Sequence, residues 1–148
     1  MKTVATLPRP IADYQSLSAE ELFERTSAAK HALGDRVMIL GHNYQRDEVI
    51  QHADFRGDSL ILSQLAEQKS DRPYVVFCGV HFMAEIADVL SRSNQTVILP
   101  DMAAGCSMAD MAAIEQVEQC WDALGRIVPV EETVMPAVYV NSAAVLKA

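Results

Sequence analysis

Apolar residues gather in short runs that end abruptly in polar clusters. Val37-Met38-Ile39-Leu40 runs into Gly41-His42-Asn43-Tyr44, and Tyr74-Val75-Val76-Phe77 into Cys78-Gly79-Val80-His81. Val97-Ile98-Leu99 leads through Pro100-Asp101 to Ala104-Gly105-Cys106-Ser107, and Val138-Tyr139-Val140 leads to Asn141-Ser142. Runs this short and β-branched predict strands at 37–40, 74–78, 96–99 and 137–140. Between them the period lengthens to that of a helix. Ser18 and Glu21 form a capping box ahead of the stripe Leu22, Thr26, Ala29 and Leu33, with Gly34 as a stop. Residues 47–55 predict a short helix ended before Gly57, and Asp58 or Ser59 caps another through about Gln68. Met83, Ile86, Ala87 and Leu90 share one face of an amphipathic helix. A long helix from Ser107 to Gly125 carries Ile114, Val117, Trp121 and Leu124, and residues 142–148 begin a helix that the chain does not finish.

Alternating strands and helices predict an α/β fold, a three-layer αβα domain with a roughly four-stranded parallel sheet. Right-handed crossovers then bring the four polar junctions to one edge, where open sheets of this class bind ligands. Residues 1–16, with Pro8 and Pro10, read as a loosely docked arm, and residues 17–148 as the domain.

Composition narrows the function classes. The 148 residues suit one compact domain, half of them apolar. A net charge of -8 argues against non-specific nucleic-acid binding. Local backbone donors still leave room for small anions. No stretch reaches the roughly 18 apolar residues of a membrane span, and the start lacks a signal-peptide core, so a cytoplasmic location is expected. Three cysteines, Cys78, Cys106 and Cys120, without a Cys-x-x-Cys pair, make a poor disulfide framework and a poor zinc pattern.

The junctions hold the candidate chemistry. His42 and Tyr44 offer a proton-transfer group and an orienting hydroxyl, or else are buried residues with satisfied hydrogen bonds. Asp58-Ser59 at a helix start is an anion site or an ordinary cap. His81 and Glu85, four apart, are an acid–base pair, metal ligands or an exposed helical ion pair. Met83 has the spacing of a core residue. Cys106, at a strand-to-helix junction, is a nucleophile, a redox thiol, one ligand of a metal centre or a small buried hydrophobe. Cys78 and Cys120 read as structural. Tyr139 and Asn141 alternate across Val140 and so share one side of the last strand, as a substrate clamp or as a core tyrosine and a helix cap.

Taken together, Gly41-His42-Asn43-Tyr44-Gln45, Ala53-Asp54-Phe55-Arg56-Gly57-Asp58-Ser59-Leu60, Phe77-Cys78-Gly79-Val80-His81-Phe82-Met83-Ala84-Glu85, Ala104-Gly105-Cys106-Ser107-Met108-Ala109-Asp110 and Tyr139-Val140-Asn141-Ser142-Ala143-Ala144 resemble the quinolinate synthases. The resemblance implies one of three similar α/β domains around a central cavity, each giving one cysteine to a [4Fe–4S] cluster with one iron open to substrate. It implies an enzyme that condenses iminoaspartate with dihydroxyacetone phosphate to quinolinate for NAD synthesis. L-aspartate oxidase or aspartate dehydrogenase would supply the iminoaspartate. By resemblance Cys106 is the metal ligand, His42 and Tyr44 are catalytic, and His42, Tyr44, Ser59, Met83, Tyr139 and Asn141 bind substrate. The chain stops just after Asn141-Ser142, so the second and third domains are expected to be absent and this chain alone inactive. Self-association through the exposed inter-domain face is a further expectation. The alternative of another class is a non-catalytic small-anion-binding or partner-docking module.

Overall fold

The structure, a computed structural model, describes residues 12–69 and 71–148. Most of the expected arm at 1–16 lies outside the described residues, which open with the short helix α1 (Ala12–Gln15). Helix α2 (Ala19–Leu33) starts where the capping box places it. The Glu21 N–H donates to Ser18 Oγ, and the Glu21 carboxylate accepts from the Ser18 N–H at 2.9 Å. A 3₁₀ turn at Gly34–Arg36 leads into β1 (Val37–His42), buried from Val37 to Gly41.

After β1 the structure departs from the expected order. Helix α3 spans only Asp47–Ile50, and Phe55–Gly57, expected as helix end and loop, forms strand β2. Helix α4 (Ser59–Gln68), β3 (Tyr74–Cys78), α5 (His81–Leu90) and β4 (Thr96–Ile98) then alternate as expected. The four strands pair in parallel in the order β2-β1-β3-β4. The sheet is the expected parallel α/β sheet of four strands, with β2 in place of the expected strand at 137–140.

Residues 137–140 form no strand, and the carbonyls of Tyr139 and Val140 are taken up locally instead. The Lys147 ammonium donates to the carbonyls of Val140 and Ser142, both at 2.7 Å, and Ser142 Oγ donates to the Tyr139 carbonyl at 2.7 Å. The chain's end is a 3₁₀ turn at Ala144–Leu146 instead of a helix start. The long helix also begins later than expected. Helix α6 is Ile114–Gly125, and a further short helix, α7, covers Val130–Thr133. Residues 107–113 are taken up by turns, one of them closed by the Asp110 N–H on the Cys106 carbonyl at 2.9 Å.

Strand alternation sorts the sheet into two faces. Met38, Leu40, Val75 and Phe77 join Leu62 and Ala66 of α4 and Phe82, Met83 and Ala87 of α5 in one core. On the opposite face Ile39, Val76 and Cys78 meet Leu22, Phe23 and Thr26 of α2 around a cavity of about 590 Å³. Parallel pairing brings the carboxyl ends of all four strands to one edge. No described helix is long and apolar enough to cross a membrane.

Candidate functional site

The site begins where β1 ends. A Cβ on Gly41 would stand 2.8 Å from Ile50 Cδ1 and 2.9 Å from the Ala53 Cβ, so glycine lets the α3 turn close over the strand exit. That closure presents His42, half-buried, beside Tyr44. Their ring centroids lie 4.0 Å apart at 46°. The Tyr44 N–H points at His42 Nδ1 at 3.4 Å, and Nε2 faces Ser59 Oγ at 3.4 Å. Nδ1 thus acts as acceptor, which assigns the proton of the neutral ring to Nε2, facing the serine. Burial lowers the His42 pKa below its usual value, opposed by the nearby Asp58 carboxylate.

The sequence left open whether Ser59 is merely a cap. Asp58 is the cap: its Oδ1 accepts from the N–H groups of Leu60 and Ile61, both at 3.0 Å. Ser59 Oγ is therefore released to face His42. Behind it, Ser63 Oγ donates to the Ser59 carbonyl at 2.8 Å and approaches the Met83 carbonyl at 3.4 Å. This buried serine ties α4 to α5 beneath the site. Sequence reasoning passed over it, although its i+4 position behind Ser59 on the buried helix face was a readable signal.

Met83 takes the core position that its spacing predicts. It is buried in the core, and its sulfur lies 3.9 Å from the Tyr44 hydroxyl. Burial raises the Tyr44 pKa, and the Cys106 charge adds to the rise, so the phenol stays protonated well past neutrality. Cys106 sits partly buried against the core, on the loop after β4. Several hydrogen bonds shape that loop. The His81 N–H donates to the Ala104 carbonyl at 2.9 Å, the Cys106 N–H to Asp110 Oδ2 at 3.2 Å, and the Ala103 N–H to Asp101 Oδ1 at 2.9 Å. A Cβ on Gly105 would stand 2.9 Å from Asp110 Oδ2, so the glycine admits the carboxylate that holds Cys106. Asp110 too was missed; its signal was the carboxylate four residues after Cys106.

His42, Tyr44, Ser59, Met83 and Cys106 thus converge from four strand ends. Tyr139 and Asn141 are on no strand, and the expected alternation onto one side does not apply to them. Tyr139 is 80% exposed, and among the described residues no hydrogen bond or ring contact joins either residue to His42 or Tyr44. His81 and Glu85 form the helical pair, at 3.3 Å, and Glu85 also accepts from the Ala144 N–H at 2.7 Å. Cys78 lies on the opposite sheet face, lining the cavity under α2, and burial raises its pKa. Cys120 is exposed on α6. Among the described residues no group of three or more His, Cys, Asp or Glu is arranged to hold a metal ion. The edge as a whole offers an imidazole N–H, a phenol and a serine hydroxyl to a small polar ligand, with one soft thiol beside them.

Known proteins match the segment that contains this edge. The family described as quinolinate synthetase A protein (NadA) matches residues 24–148. The chain is 60% identical over 137 residues to the quinolinate synthase of Herpetosiphon aurantiacus, covering 92% of this chain and 36% of that protein. It is 56% identical over 135 residues to that of Corynebacterium glutamicum, covering 91% and 34%. With the quinolinate synthase of a Geobacillus species it shares 53% identity over 148 residues, 100% of this chain and 39% of the relative. The chain spans little more than a third of the length of the curated relatives it matches.

Proposed function

The chain belongs to the quinolinate synthetase A family, and on that premise we propose that it supplies one wall of a quinolinate-forming active site. The reaction is the condensation of iminoaspartate, delivered by an aspartate-oxidising enzyme, with dihydroxyacetone phosphate, losing phosphate and water. The observation that carries this reading is the convergence of His42, Tyr44, Ser59 and Met83 beside Cys106.

The roles follow from protonation. Tyr44, held protonated, donates a hydrogen bond to a substrate oxygen. Neutral His42 carries its proton on Nε2 and exchanges it with substrate through or beside Ser59 Oγ, as imine formation and isomerisation require. The Met83 sulfur lies 3.9 Å from the Tyr44 hydroxyl and steadies the end of the phenol at the margin of the core. Tyr139 and Asn141 are the remaining substrate contacts of this reading.

Cys106 is the residue of this chain that would hold an iron–sulfur cluster. A partly exposed thiol on a loop whose backbone is tied at Ala104 and Asp110 fits one corner of such a group. When bound, the cluster supplies a Lewis-acid iron to substrate oxygen or nitrogen.

The test is a chimera in which residues 12–148 replace the matching segment of the Corynebacterium glutamicum enzyme. It is expected to form quinolinate and to lose activity with Cys106→Ser. Tyr44→Phe and Ser59→Ala are expected to lower kcat/KM by roughly tenfold to a hundredfold, the worth of one hydrogen bond in a closed site. Full activity in those two variants would defeat the assignment.

A further inference from the structure

The amino-terminal half of α5 is where the separate pieces of this edge are joined. Its first N–H, on His81, holds the loop of Cys106 through the Ala104 carbonyl. Its Met83 meets Tyr44 and, through its carbonyl, Ser63. Its Glu85 reaches a segment 59 residues further along the chain, accepting the Ala144 N–H on Oε2 at 2.7 Å while Oε1 faces His81 Nε2 at 3.3 Å. Ala144 opens the final 3₁₀ turn, and its N–H has no cap from its own neighbours. The segment before it is closed on itself: Ser142, 5% exposed, bonds to the Tyr139 and Val140 carbonyls, and Lys147 to those of Val140 and Ser142. Glu85 supplies a long-range side-chain tether to this locally bonded segment.

We propose that Glu85 is a positioning residue: by holding the Ala144 N–H it fixes the 139–147 segment at the ligand edge and so sets where Tyr139 and Asn141 stand. His81 faces the carboxylate, and Lys147 lies nearby: burial lowers its pKa, and the Glu85 charge opposes that fall. The part of this inference that concerns substrate rests on the function proposed above; the tether itself does not.

The experiment compares the parent chain with Glu85→Ala and Glu85→Gln, by amide hydrogen exchange and by titration with quinolinate. In Glu85→Ala, exchange at residues 142–147 is expected to quicken about tenfold or more, the loss of a charge-assisted bond, with the β1 and β3 amides unchanged. Glu85→Gln, which keeps an acceptor oxygen, is expected to recover most of the protection. Quinolinate affinity is expected to fall with Glu85→Ala and to be rescued in the same order. Unchanged exchange in Glu85→Ala overturns the proposal, as does a released segment with unaltered affinity. Should the parent chain bind no quinolinate, that result counts against the site reading alone, and the exchange comparison decides the tether.

Discussion

His42 stands between two opposing influences. Burial disfavours its charged form, and the Asp58 carboxylate favours it; burial is the larger, so the pKa falls. The consequence for stability has a definite sign. Above about pH 6.5 the ring is neutral in both folded and unfolded chains. As pH drops below that, the unfolded chain takes up the proton first, so stability declines until the folded pKa has been passed. An NMR titration of the imidazole is expected to show a midpoint below that of an unstructured histidine, and lower still in Asp58→Asn. A midpoint at or above the unstructured value would contradict the assignment of a neutral, proton-donating ring. At this scale the sequence was informative where backbone direction was fixed. His42, Tyr44, Ser59 and Cys106 follow strand ends, and a strand end dictates where the next side chains go. Tyr139 and Asn141 were placed by alternation, which has meaning only inside a paired strand, and no strand forms there.

Among the elements, β1 carries the greatest constraint. It lies between β2 and β3 and exits beneath the α3 turn, where Gly41 leaves no space for a side chain. The Ile50 methyl could swing aside, but the Ala53 Cβ is fixed by its own backbone. Gly41→Ala is therefore expected to cost about 1–3 kcal/mol through overpacking. Urea unfolding should show a lower midpoint with an unchanged slope, and an unshifted midpoint would mean that the α3 turn yields freely. Strand β2 was illegible for a related reason. It is three residues long and includes Arg56 and Gly57, too short a run for alternation to be read from sequence. Its existence depends on long-range partners: Leu40 opposite Phe55, His42 opposite Gly57, and the Asp54 carboxylate, which takes the Ile39 N–H at 2.8 Å and the Lys30 ammonium at 2.7 Å. A window of local sequence contains none of these. The amphipathic stripes of α2 and α5 needed no such help, since a helix supplies its own hydrogen bonds and only its apolar face must find a neighbour.

Across the whole molecule the ligand edge is only partly enclosed. Met102, Met108 and Met111 follow β4 with exposures of 63%, 55% and 78%, and Met135 and Tyr139 reach 92% and 80%. Exposed methionine and tyrosine in this number are the composition of a surface that meets other protein. The donor set points the same way. The chain has three cysteines, of which Cys78 faces the cavity under α2 and Cys120 lies exposed on α6, leaving Cys106 alone at the edge. A cluster of four irons is held by several thiolates, so this chain would provide one corner of the proposed cluster. Anaerobic reconstitution of the isolated chain, followed by iron and acid-labile sulfide analysis, is expected to give far less than one tightly held cluster per chain. Cys106→Ser should remove what little binds, while Cys78→Ser leaves it unchanged. One stable cluster per chain, or binding that survives Cys106→Ser, would mean that this chain gathers ligands by a route its fold does not display. Sedimentation of the reconstituted protein separates the remaining case: copies sharing a cluster through Cys106 would appear as an oligomer that dissociates when the iron is chelated.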